Sequence, residues 1–406
     1  MHFDLHLRSQ ITQELEKLAD RMKSWEDQPR IDQDEAARIR ENICFFEHSR
    51  RKENLSIAGV DGSGDFPAVT YGDSFIYVTV AQGAVFDTDN ISGLRERGPA
   101  KEPLFHFTWL PEEESHREAS FDEALAHFSG QPVEDVIRKS DYRHIKANES
   151  GRSSPVDVLA DGLLRPHASD SGNVGIQLRS SAELGMALRL IRQSDPGGYV
   201  LFDSTLSLPL VTRADVSLFF EHLKRLCCVE AREKGVKFVA FSKSHGLPAI
   251  ELLEEIAREK KVLVKGDVAE HWYLRLPVPE IDDWTFSLAN ERRLPPAGAV
   301  TYLVRFHRNS PVYRVDLDLD YWKSFVRGSS PAETLQNEQA IFEDLDYASH
   351  DQRCYGYPYP IKAGHDRASL TKPERVALRK QIIEMAVKAG MKRTLFQDAS
   401  LATGHR

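Results

Sequence analysis

The chain has 406 residues, of which 41% are hydrophobic, enough for one large domain with insertions or for two, and enough to build a real core. A net charge of -9 announces no overall basic field, so any nucleic-acid surface is a local patch. The four cysteines, Cys44, Cys227, Cys228 and Cys354, show neither CxxC nor Cys/His ligand spacing, which argues against a structural zinc site or a disulfide framework. A reduced, cytoplasmic chain is expected, because the start MHFDLHLRSQ lacks a signal-peptide core and no apolar run reaches membrane-spanning length.

Up to about residue 50, Ile11, Leu15, Leu18 and Met22, then Ala36, Ile39, Ile43 and Phe46, recur at helical spacing on either side of the polar break Glu26 to Asp34. Two amphipathic helices in a hairpin are expected, either packed on the domain or kept as a partner surface. Leu55, Ile57, Ala58 and Val60 form a short apolar strand that ends in Asp61, and Gly62, Ser63 and Gly64 are expected to stop it. TYGDS reads as a hairpin connection to a second strand, Phe75 to Val80, and Ala84 to Phe86 open a third. From Ser92 to Gly172 the chain is polar and charged, with helical patches at Phe121 to Phe128 and Val133 to Lys139. It reads as an insertion that decorates the site.

Regular pattern returns at Ile176 to Arg192, where Leu184, Ala187, Leu188 and Ile191 share a helical face. Glu183 is placed within a turn of an N-terminus capped from Ser180 or Ser181. Tyr199 to Phe202 then form an apolar strand ending in Asp203, as the first strand ended in Asp61. A helix over Ala214 to Lys234, a strand Val236 to Ser242 ending in Lys243, and a helix Pro248 to Lys260 follow. Val262 to Asp267 add a short element. Strands alternating with helices, with polar groups at the C-terminal strand ends, are what an α/β sheet needs to build a site along one edge.

Val300 to Phe306 and Pro311 to Leu317 read as an antiparallel hairpin. Asp316, Asp318 and Asp320 alternate at strand spacing, and an exposed acidic edge is expected in preference to a calcium loop. A helix near Pro331 to Leu345 precedes GYPYPIKAGHD, whose Tyr-Pro pairs call for extended backbone before His365. Thr371 caps a last helix over Pro373 to Lys388.

The candidate constellation is Asp61, Glu183, Asp203, Lys243 and His365. Carboxylates from two strand ends and one helix suit the hard cations Mg²⁺ or Mn²⁺, and two such ions would activate a water and stabilise the departing oxygen of a phosphodiester. Carboxylates gathered without a cation repel one another, so the cluster implies a metal. Lys243 would hold a phosphate or orient the nucleophile, and His365 would complete a metal shell or shuttle a proton.

IAGVDGS, the helix carrying Glu183 ahead of LFDSTLSLP, FVAFSKS, the hairpin YLVRF to PVYRVDL, and GYPYPIKAGHDRA occur in an order that resembles the NurA nuclease domain, from about Leu55 to Ala368. The resemblance implies an RNase H-like mixed sheet flanked by helices, with a nuclease domain over 51–395 behind an N-terminal helical region, 1–50. It further implies Mn²⁺ or Mg²⁺ dependence and DNA cleavage by 5′ to 3′ exonuclease and single-strand endonuclease activity. The implied partners are a second copy of the chain, in a ring-shaped homodimer, and the hexameric ATPase HerA, in DNA end processing or defence against foreign DNA. By the same resemblance Asp61, Glu183, Asp203 and His365 are metal ligands and Lys243 the strand-end lysine, with Tyr357 or Tyr359 near the histidine. DST stands where the family often has DGS. Two other readings stay open: an inactive adaptor for the ATPase, and an RNA- or junction-cleaving enzyme on the same scaffold.

Overall fold

The computed structural model describes residues 5–25, 33–49, 51–89, 93–98, 102–145, 171–208, 218–243, 250–265, 271–278, 281–284, 286 and 298–397. Among them an 11-stranded mixed sheet forms the frame. Its strands are β1 (Ile43–Phe45), β2 (Ser56–Tyr71), β3 (Ser74–Asp89), β4 (Gly93–Glu96), β5 (Leu104–Leu110), β6 (Tyr199–Asp203), β7 (Lys237–Ser242), β8 (Trp272–Arg275), β9 (Ala299–Arg305), β10 (Tyr313–Asp318) and β11 (Phe396–Gln397). The order across the sheet is β1-β8-β9-β10-β7-β6-β2-β3-β4, with β5 also on β3 and β11 on β2. β2, β6 and β7 run parallel, while β2 and β3, β3 and β5, and β9 and β10 pair antiparallel. This is the mixed, helix-flanked α/β sheet the sequence led us to expect.

The helices are α1 (Leu5–Trp25), α2 (Gln33–Asn42), α3 (Glu114–Ser129), α4 (Val133–Lys139), α5 (Ser171–Gln193), α6 (Leu218–Lys234), α7 (Ile250–Lys265), α8 (Pro331–Ser349), α9 (Tyr359–Ala368) and α10 (Lys372–Lys388). Alternation along the central strands divides them between two layers. Ala58, Val60, Val200, Phe202 and Ala240 pack under α3, α5 and α6, through Phe128, Leu184 and Leu223. Ile57, Leu201, Val239 and Phe241 face the other way, onto Phe342 and Leu345 of α8 and Ile361 of α9. Among the described residues no helix is long and apolar enough to cross a membrane.

Several expectations change. The glycines after Asp61 do not end β2, which continues to Tyr71 and turns at Gly72 (φ 55°) into β3; Ala84 to Phe86 belong to β3 itself. The stretch from Ser92 to Gly172 is no mere decoration where it is described. β5 pairs with β3 over seven residues, and Phe121, Leu125 and Phe128 of α3 are core. The charge of α3 masked this, because a helix covering a sheet needs only one apolar stripe. α4 has the expected limits, and 146–170 lie outside the described residues.

At the N-terminus, Ile43 to Phe45 form a strand on β8 instead of continuing a helix. α2 packs through Ile39 against Leu253 and Trp272, whereas Leu15 and Met22 of α1 are 57% and 65% exposed. α6 and α7 arise where helices were expected, although 214–217 and Pro248 are not described. Val262 to Lys265 extend α7 and form no separate element, with 266–267 outside the description. Thr371 caps α10 in a full capping box with Glu374.

Asp316 and Asp318 form no exposed edge. Both are buried and neutralised: Asp316 by Arg314, and Asp318 by Arg225 and Arg232. Strand alternation places them on one face with Arg314 of the same strand, but the arginines that bury Asp318 come from α6, which strand spacing alone cannot reveal.

Candidate active site

The site forms where β6 stops and β2 continues. The parallel register sets Val60 beside Phe202, so the next residues, Asp61 and Asp203, stand at one level on adjacent strands. β7 pairs Phe241 with Asp203, and Lys243 follows two residues on. Side chains at one level of adjacent strands point to one face, which aims both carboxylates toward the layer of α9.

That helix lies unusually close to β2. A Cβ on Gly59 would stand 2.2 Å from the Pro360 carbonyl carbon, and one on Gly364 would stand 3.2 Å from the Asp61 backbone nitrogen. Two facing glycines thus let the backbones touch, and the residue after Gly364 is brought onto the aspartate. His365 Nδ1 lies 2.5 Å from Asp61 Oδ2, and its Nε2 lies 3.3 Å from Ser369 Oγ. His365 therefore stands on a helix that begins at Tyr359, so the extended backbone expected before it does not run past Pro358; Pro360 falls in the helix's first turn, where its missing N–H costs nothing.

Glu183 arrives from the opposite layer. It sits in the middle of α5, far from the helix start, so the expected cap at Ser180 or Ser181 is wrong. It reaches the centre because position 62 is glycine: a Cβ there would be 2.6 Å from Glu183 Cγ. The carboxyl is pushed up to about 8, first by burial and then by the charges of Asp61 and Asp203, against the pull of Arg179. Arg179, one turn earlier, places Nε 3.1 Å from Glu183 Oε1, yet that buried oxygen takes no hydrogen bond.

Lys243 Nζ lies 3.2 Å from Asp203 Oδ2 and 4.1 Å above the Tyr357 ring. Tyr357 is buried, and burial together with Asp203 and Asp61 raises its phenol far above the ordinary range. Tyr359 instead packs on Phe86 and under Arg353. Of the two tyrosines left open by the sequence, Tyr357 is the one at the site.

The five expected residues are thus linked in a chain of contacts and charge interactions, His365 to Asp61, Asp61 and Asp203 to Glu183, and Asp203 to Lys243. Their donor atoms nevertheless stand wider than a closed single-ion shell: among the described residues the His, Cys, Asp and Glu group whose ligand atoms all lie within 4.8 Å is His48, Asp346 and His350, elsewhere in the fold. Sequence reasoning did not single out Arg179, whose four-residue spacing from Glu183 was the available signal, nor the space-making role of Gly62.

The loop behind Asp203 is held by a residue that looked peripheral. Asp316 Oδ2 accepts from the backbone N–H of Leu206 at 3.0 Å, and Arg314 donates to Ser207 Oγ at 2.7 Å. The DST turn is therefore fixed from β10.

No family model and no curated protein matches this sequence. Among solved structures, the NurA nuclease from Sulfolobus solfataricus superposes with a TM-score of 0.48 at 12% identity, covering 95% of this chain and 98% of that one. A structure of NurA with manganese gives 0.36 at 13% identity over 95% and 99% of the two chains. One of NurA bound to dAMP and manganese gives 0.37 at 11% over 96% and 98%. The chain is similar to solved NurA nucleases. The likeness runs through nearly the whole of both chains, but at these scores it assigns no role to any residue, and the chemistry rests on the geometry above.

Proposed function

We propose that this protein is a divalent-metal-dependent nuclease that hydrolyses DNA at the Asp61, Glu183 and Asp203 cluster. The observation that carries the reading is Glu183, a buried carboxyl between two aspartates whose Oε1 has no hydrogen-bond partner. A buried carboxyl beside two others is costly to ionise unless a cation joins them, and Arg179 supplies only one positive charge, from a side chain that is 45% exposed.

The residues present fit a hard cation, since they offer carboxylate oxygens and no thiolate. Asp61, Glu183 and Asp203 would hold it, with His365 at the rim; when bound, it activates a water and stabilises the departing oxygen. His365, held through Nδ1 by Asp61, keeps that carboxylate oriented and offers Nε2 beside Ser369 for proton transfer. Lys243, with a side chain 54% exposed, leans on the Tyr357 ring and presents a positive charge to a scissile phosphate. Tyr357 holds a protonated phenol near Asp203, able to donate to a phosphate oxygen.

The finer reading follows the sequence resemblance: 5′ to 3′ exonuclease and single-strand endonuclease activity, two ions per site, a homodimer with a nuclease domain over 51–395, and joint work with a HerA-type ATPase. The test is cleavage of linear and single-stranded DNA in Mn²⁺, Mg²⁺ or EDTA. Cleavage is expected only with metal, and Asp61→Ala is expected to reduce it to background while the circular dichroism spectrum is unchanged. Cleavage that persists in EDTA, or in Asp61→Ala, overturns the mechanism.

A further inference from the structure

Further along the sheet, three imidazoles close on one carboxylate. Asp346, near the end of α8, is fully buried. His48 Nδ1, from the segment after β1, lies 2.8 Å from its Oδ2. His271 Nδ1, just before β8, lies 3.0 Å from its Oδ1. His350 Nδ1, one turn beyond Asp346, lies 3.2 Å from Oδ1 and 2.9 Å from the Asp346 backbone oxygen. Four residues from three separate parts of the chain therefore meet at one point.

Their separations match a shared ion. Ligands about 2.0–2.2 Å from one divalent ion stand about 3.0–3.5 Å from each other; His350 Nδ1, 2.9 Å from the Asp346 carbonyl, carries its proton there and leaves Nε2 as the ligating nitrogen. The donor atoms of His48, Asp346 and His350 all lie within 4.8 Å of one another. The His48 and His350 rings are also close, with centroids 4.1 Å apart.

We propose that His48, His350 and Asp346 bind a divalent transition cation of the Zn²⁺ class, and that His271 is the positioning residue that orients the carboxylate. Imidazole nitrogens select zinc over magnesium or manganese, so the site differs in preference from the carboxylate cluster at Asp61. A donor to a ligating carboxylate is the usual support of such a centre, and His271 Nδ1 holds Oδ1. The bound ion would tie the segment leaving β1 to α8 and β8, fastening the N-terminal region to the sheet. The inference stands apart from the nuclease reading, because none of these residues belongs to the Asp61 cluster.

The test uses the full chain, stripped with chelator and titrated with Zn²⁺, and with Co²⁺ as a coloured stand-in, in the Asp61→Ala background to weaken competing binding at the carboxylates. One equivalent of Zn²⁺ that survives gel filtration is expected, with d–d absorption on Co²⁺ binding. His48→Ala is expected to weaken Zn²⁺ binding at least about 100-fold, and His271→Asn about 10- to 100-fold. His48 is at the rim, so its variant is expected to fold, as circular dichroism will report; if His350→Ala does not fold, His48→Ala carries the test alone. Failure of the parent protein to take up Zn²⁺, or wild-type affinity in folded His48→Ala, overturns the proposal. Mn²⁺-dependent DNA cleavage by the otherwise wild-type His48→Ala chain reports separately on the nuclease reading.

Discussion

Replacing Gly62 with alanine adds one carbon atom, and its effect falls on Glu183. The new Cβ would stand 2.6 Å from Glu183 Cγ and 2.9 Å from Oε1, where unbonded carbons rest at about 3.5–4.0 Å. Relief requires the glutamate to retreat by about 1 Å, and a displacement of that size at a reacting centre costs about 100-fold in rate. Gly62 lies inside β2, paired with Ala81, so the alanine meets no special backbone penalty. The variant is therefore expected to keep its fold, with an overpacking cost of about 1–3 kcal/mol, and to lose about 100-fold in Mn²⁺-dependent cleavage. Steady-state cleavage of a labelled single strand, read beside a thermal melt, separates the two effects. Gly98→Ala is the control, since nothing lies within 4 Å of the added carbon. A Gly62→Ala enzyme with the wild-type rate would remove Glu183 from the chemistry.

Glu183 also makes the metal-free protein sensitive to pH. Its carboxyl is raised from 4.5 to about 8, so its favourable contribution is complete below about pH 4.5 and is lost as pH rises through about 8. The gap corresponds to at most about 5 kcal/mol. In EDTA, Glu183→Gln is expected to melt above wild type at alkaline pH, with the difference gone by about pH 5; a wild-type melt that is flat across that range refutes the burial argument. Elsewhere, Arg225→Met leaves the buried Asp318 and the half-buried Asp141 short of a partner. Because Arg232 still pairs with Asp318, a loss below the about 3–5 kcal/mol of a wholly unpaired buried charge is expected in urea unfolding, partly recovered by adding Asp318→Asn, and equal losses in the single and double variants would show that the pair is not coupled.

Much of the frame was legible because strand and helix periods are local properties. The apolar runs ending in Asp61 and Asp203, the amphipathic α5 and the box at Thr371 each announce themselves within a few residues. The unread parts depend on a second surface. Gly62 looks like a strand breaker, and Gly59 and Gly364 carry no signal, until the neighbouring backbone and side chain are seen. Asp318 looks solvated until Arg225 and Arg232 of α6 are placed. The charged helix α3 looks like an insertion until β5 is seen to extend the sheet. Of the histidine cluster, only Asp346 and His350, four apart at the end of α8, left a trace in the sequence; His48 and His271 reach it by way of the β1 and β8 pairing.

The position of the site follows from unequal strand lengths. A sheet ordinarily separates the side chains of its two faces, so a helix above and a helix below cannot contribute to one centre. Here β6 has five residues and β2 has 16, which leaves one edge of β2 open beyond Asp203. Glu183 from α5 and His365 from α9 meet Asp61 at that opening, each admitted by a glycine on β2. What ends β6 is the loop Ser204 to Leu208, and that loop is fixed by Asp316 through the Leu206 amide. The acidic pair, the opening and the buried aspartate on β10 are therefore parts of one construction, in which the strand end decides where charge from both layers can gather.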